Sequence, residues 1–225
     1  MQVRPFPRAL LLVPLAVAVL PLVTVAIVHV TKGVAITWMM GDIAYTAQVH
    51  PLTGFISALG ILVWWTAAVT WFFSALIHQA RSDRRAGIFA MGFGLLTAYL
   101  ALDDLFQIHE HLGPNYLHIP QRGVLLGLAI ATVVFVAIFH KQILRKDAWL
   151  LGLAIKFLGS SLLIDALPKP WFDAMGQWAH LLEDACKWLG LVCWATFAIV
   201  RCRVDVLRGQ QQPDVDRKYP DRGVA

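Results

Sequence analysis

Two segments concentrate the residue types that can bind a cation or move a proton: LALDDLFQIHEHL (100–112) and WAHLLEDACKWLG (178–190). Placed on a helix at 100° per residue, Asp103, Asp104, Gln107, Glu110 and His111 share one face, with His109 directed elsewhere. His180, Glu183, Asp184 and Lys187 form a second stripe at i, i+3, i+4, i+7. The chain contains two glutamates, and both fall in these stripes.

Such stripes suit three kinds of chemistry: metal ligation, cation binding and proton transfer. Carboxylates and imidazoles on facing helices hold metals in bundle proteins through Glu-x-x-His motifs. Here His180-x-x-Glu183 has that spacing in reversed order and in a single copy. The expected ligands are Asp103, Asp104, Glu110, His111, His180, Glu183 and Asp184, a mixed oxygen and nitrogen set suited to Zn, Mn or Fe. Asp104, Glu183 and Lys187 are the candidates for catalytic roles.

The competing reading is structural: a polar network joining two helices, with Lys187 as counter-ion to Asp184 or to Asp103 and Asp104. Charge balance bears on both readings. With Asp165 added, six acids face Lys187 and at most Lys156, so a partly dry site must protonate some of them, solvate them or neutralise them with a cation. Asp42 and His50, in the 31–52 connection, are placed to fold over the site as a lid. His78 and His140 sit at helix ends, where interfacial histidines are commoner than haem ligands, so haem is not expected.

The elements that must position these residues are membrane helices. The 225 residues are 58% hydrophobic and 15% charged, with a mean hydropathy of +0.64. Soluble domains carry about 25% charged residues. Six stretches are apolar enough for the roughly 20 residues that a helical crossing needs: 9–30, 53–77, 86–108, 123–139, 148–167 and 178–200. The first has a longer apolar run than a signal peptide and no small-x-small cleavage site, so it reads as a retained helix. Deep tryptophans (Trp64, Trp65, Trp71, Trp188 and Trp194) read as packing, and Trp149, Trp171 and Trp178 as interfacial anchors.

The net charge of +5 would suit a polyanion partner, but the distribution of the positive residues assigns them to topology instead. With the N-terminus inside, 14 of the 19 Lys and Arg fall in inner segments and 3 in outer ones. Both termini are then cytoplasmic, both polar stripes lie at the outer ends of their helices, and no nucleic acid is implied. The expected fold is all-α: one six-helix membrane domain over 1–202 and a polar cytoplasmic tail over 203–225. Phosphate loops, HExxH, GxSxG and CxxC motifs are absent, and three cysteines make no disulfide framework.

The segments LDDLFQIHEHLGP, LLEDACKWLG and PLTGFISALGILVWWTAA together resemble a family of uncharacterised small bacterial multi-pass membrane proteins. The resemblance implies a multi-helix fold in a bacterial inner membrane. Two function classes stay open. One is a metal-dependent enzyme acting on a lipid or other apolar molecule. The other is a non-enzymatic protein, either an accessory subunit of a membrane complex or a proton- or cation-linked carrier, with lipid and other membrane proteins or further copies as partners.

The orientation is testable with a reporter active only in the cytoplasm. Fusions after Asp83 and Asp147 are expected to give signal, and fusions after Asn115 and Asp173 to stay silent. The reverse pattern would move the acidic stripes to the cytoplasmic face.

Overall fold

The computed structural model describes residues 8–165, 167–168, 170 and 174–210, and all regular structure among them is helical. The chain divides into two compact units at Gly54. The first contains α1 (Arg8–Lys32), α2 (Ile36–Met40) and α3 (Ile43–Ala47). Gly33, at φ 67°, ends α1 in a left-handed conformation that costs glycine little.

The second unit begins with α4 (Phe55–Ala80) and α5 (Arg84–Phe106). A π-helical turn (Ile108–Leu112), the short α6 (Gly113–Tyr116), α7 (Gln121–Ile143), α8 (Ala148–Asp165) and α9 (Gln177–Gln210) follow. Local signals set the boundaries. Asp83 caps α5 by accepting the Ala86 N–H, and Pro120 precedes the first turn of α7, where a missing N–H costs nothing.

Four of these helices, α4, α5, α7 and α8, are long and apolar enough to cross a bilayer. They match the second to fifth expected spans, with boundaries displaced by a few residues. The expected sixth span lies within α9. This helix continues through Gln210, so the chain is still helical where a polar tail was expected to begin at 203. Lys169, Trp171, Asp173 and the segment 211–225 lie outside the described residues.

Small residues let the helices of the second unit approach closely, as membrane helices without a hydrophobic drive between them require. Ala67, Ala68, Ala90, Ala101, Ala154 and Ala198 are all essentially inaccessible. Gly190 of α9 sits so close to Leu158 of α8 that a Cβ there would lie 2.7 Å from it. Between the alanines runs an aromatic core. Trp71 stacks on Phe93 at 4.7 Å between centroids and meets Phe89 edge-on at 5.6 Å. Trp64 meets Trp194 in the same edge-on way at 5.6 Å. The Trp194 indole N–H donates to the Thr97 hydroxyl at 3.1 Å, so the one polar atom of that ring is satisfied. These tryptophans pack, as the sequence suggested.

α7 stands apart. It touches α5 through Phe135 and Phe139, which join Phe89 and Phe93, yet only 6% of its apolar window is buried. An apolar helix so exposed needs an apolar solvent.

Trp71→Ala should therefore cost about 3–5 kcal/mol of stability. Val133→Ala, on the outward face of α7, should change it by less than about 0.5 kcal/mol. Unfolding in mixed micelles followed by tryptophan fluorescence distinguishes the two. Equal effects would mean that the aromatic core is not the centre of the fold.

Candidate functional site

The first polar stripe does not form as a continuous helix would place it. α5 stops at Phe106, Gln107 takes a left-handed conformation (φ 49°, ψ 49°), and the next five residues form a π turn. The cause is visible in the backbone hydrogen bonds. Breaking the helix leaves N–H groups without partners, and the Asp103 carboxylate takes one of them, accepting the His109 N–H through Oδ1 at 2.9 Å. Its Oδ2 lies 2.6 Å from His109 Nδ1.

This overturns the shared face of Asp103, Asp104, Gln107, Glu110 and His111. Gln107, Glu110 and His111 are exposed, while His109, expected to point elsewhere, folds back onto Asp103. The 100° rule fails because it assumes one unbroken α-helix, and the turn after Gln107 has a different period. With Nδ1 facing the Asp103 carboxylate, Nε2 is the ring's remaining position, 3.5 Å from Glu110 Oε1.

The second stripe meets the first through an ion pair. Lys187 Nζ donates to Asp104 Oδ1, joining α9 to α5. The Asp104 side chain is 14% exposed, and its other oxygen, Oδ2, is buried without a hydrogen-bond partner among the described residues. Asp104, Asp184 and Lys187, with Ser57 and Gly60 of α4, line a niche of about 10 Å³. That is room for about one water molecule, which could satisfy Oδ2. Gly60 matters here because a Cβ would point into the niche, 4.0 Å from Asp104 Oδ2.

The remaining residues are placed as follows. Glu183 is half-buried, within electrostatic range of Asp165, Asp184, His180 and Lys187, while His180 and Asp184 are exposed. Among the described residues no three His, Cys, Asp or Glu side chains come together in a group that could hold a metal. The seven expected ligands are instead divided: Asp103 in the clasp with His109, Asp104 in the pair with Lys187, Glu110 and His111 exposed on the π turn, and His180, Glu183 and Asp184 on α9. Lys156, on α8, is exposed. Asp42 and His50 serve turns: Asp42 caps α3 by accepting the Tyr45 N–H at 3.0 Å, and His50 Nδ1 accepts the Leu52 N–H at 3.2 Å.

At the other end of the second unit is a polar network that sequence reasoning missed. His78 of α4 places Nε2 3.1 Å from Asp205 Oδ2 and Nδ1 3.5 Å from Asp83 Oδ2. The Ser74 hydroxyl donates to the same Asp205 oxygen at 3.0 Å. With both its nitrogens facing carboxylates, His78 is a helix tie. Arg201, 3% exposed, donates to both Asp147 oxygens at 2.6 and 2.8 Å and also to the Gln142 carbonyl. Charge counting across the loops treats such an arginine as a marker of topology alone. Asp205 lies four residues after Arg201, and Asp147 is the one acid in a basic connection; those were the available signals.

A family model described as "Domain of unknown function (DUF8692)" matches residues 10–200. No curated protein and no solved structure matches the chain.

If Asp104 and Lys187 neutralise each other, Asp104→Asn and Lys187→Met should each lower stability by about 3 kcal/mol, because each strands a partly buried charge. The double variant should lose no more than either single one. Strict additivity in a double-mutant cycle would show that the pair is not coupled.

Proposed function

The chain belongs to the DUF8692 family, whose description assigns no activity, and from the geometry we propose that it is a non-enzymatic, multi-pass protein of the bacterial inner membrane. It crosses six times, with α1 and α9 joining the four strongly apolar helices and both termini cytoplasmic. It serves as an accessory subunit of a membrane complex. The observation that carries this reading is the closure of Asp104 and Lys187 over a niche of about 10 Å³, where one water fits and a substrate does not. The charged residues hold α4, α5 and α9 in one arrangement, which is what a subunit offering a fixed surface needs.

The packing disfavours a carrier. Between the outer pair and the inner His78–Asp205 network lies the layer of Trp64, Trp71, Phe93, Trp194 and Phe197, none more than 6% exposed. A proton or cation path through α4, α5 and α9 would have to cross that dry aromatic layer.

One observation favours the metal-dependent alternative. His109 has Nδ1 held by a carboxylate and Nε2 3.5 Å from Glu110 Oε1, the arrangement in which a supported imidazole and a neighbouring carboxylate accept Zn, Mn or Fe. Lipid-directed chemistry would then centre on this turn.

Two measurements on one preparation separate the readings. Under the accessory reading, native electrophoresis in mild detergent gives a discrete assembly well above the 25.0 kDa monomer, and the Asp104→Asn, Lys187→Met double variant weakens it. The same protein carries far less than one metal per chain, and a chelator leaves its melting unchanged. Stoichiometric metal that is lost in His109→Ala, with a chelator-sensitive Tm, would establish the metal reading instead.

A further inference from the structure

We infer that the groove between α4 and α5, at the end bearing Arg84, is a binding site for one anionic phospholipid. It seats an acyl chain along α5 and the phosphate at the Arg84 guanidinium. The inference rests on the membrane setting of α4 and α5 and not on the accessory role proposed above.

The groove has a volume of about 670 Å³. Its floor exists because two positions along α5 lack side chains. At Gly87 a Cβ would touch α4, at 3.6 Å from His78 Cβ, 3.8 Å from the Ala75 carbonyl oxygen and 3.9 Å from the Gln79 N, so the missing side chain leaves that edge of the groove open. Gly92 lets the Phe135 ring of α7 come in so close that a Cβ would lie 2.4 Å from it, which brings α7 alongside the far end. Ile88, Met91 and Leu95 supply the apolar wall, and all three are exposed.

Length and charge select the occupant. From Arg84 to Leu95 is eleven steps of helix, about 16 Å. That is roughly half of a hydrocarbon core about 30 Å thick, so the groove runs one leaflet deep from a charged mouth. The mouth has Gln79, Ser82, Asp83 and Arg84. Asp83 is already committed, its Oδ1 to the Ala86 N–H at 3.3 Å and its Oδ2 facing His78 at 3.5 Å. Arg81 is committed to the Asp205 and Val206 carbonyls of α9. Arg84 has no hydrogen bond or ion pair among the described residues, and Arg85 beside it is exposed, so the mouth presents uncommitted positive charge. A basic site between helices at the membrane surface, continuous with a groove for one chain, matches a lipid headgroup and its acyl tail together. A free phosphate would use the guanidinium and leave the groove unused.

The full chain in neutral detergent can be titrated with phosphatidylglycerol, phosphatidylcholine and inorganic phosphate, with bound species counted by native mass spectrometry. One phosphatidylglycerol is expected to bind ahead of phosphatidylcholine. Arg84→Gln should weaken that first step about fivefold, the effect of one basic contact near a membrane surface. Met91→Trp, which fills the apolar wall, should abolish the first step while Arg84 is intact. Lys146→Gln, in another basic connection, should leave it unchanged. Equal binding of phosphatidylcholine would overturn the inference, as would an undiminished first step in both groove variants. Inorganic phosphate competing at the same affinity would reassign the site to a soluble anion.

Discussion

An ammonium ten residues into a helix that packs inside an apolar bundle has few fates. It must reach an interface, lose its proton or find a carboxylate. Lys187 finds Asp104, and much of the second unit is consistent with that requirement. The pair fixes α9 against α5 at one end. Gly60 keeps α4 thin enough for the niche beside it, and the Asp104 oxygen left over lies against that niche. At the opposite end Arg201, His78 and Asp205 solve the same problem with different groups, so α9 is clamped at both ends around a dry aromatic middle.

This arrangement changes the meaning of the excess of acids. Six carboxylates at one level suggest a cation only if they converge. Asp103 is used to close a broken helix onto His109, Asp104 is used to neutralise Lys187, and Glu110 and Asp184 remain accessible. Exposed acids can be hydrated near the interface, and hydration removes the need for a shared counter-ion. What remains chemically distinctive is the π turn. There a supported imidazole and a carboxylate lie side by side in an irregular segment of the kind often retained at functional sites.

The two ends also differ in what they offer to the surroundings. The Lys187 end is closed, with room for about one water. The Arg84 end has an open groove of one leaflet's depth and a charged mouth.

The hydropathy of the sequence was enough to determine an all-helical membrane protein and the approximate limits of α4, α5, α7 and α8. Twenty apolar residues in a row have few other stable states, and that constraint is local. The sequence also offered an acid partner as one of two roles for Lys187 and marked the deep tryptophans as packing, because burial of those residue types leaves few choices. Only the tertiary structure decided which acid Lys187 takes, that Asp103 turns back to His109, and that Arg201 and Asp205 are buried ties and not surface charge. Each of those outcomes depends on a helix break or on contacts between residues as far apart as Ser74 and Asp205. A periodicity rule extended across Gln107 carries no information about a backbone that changes period there.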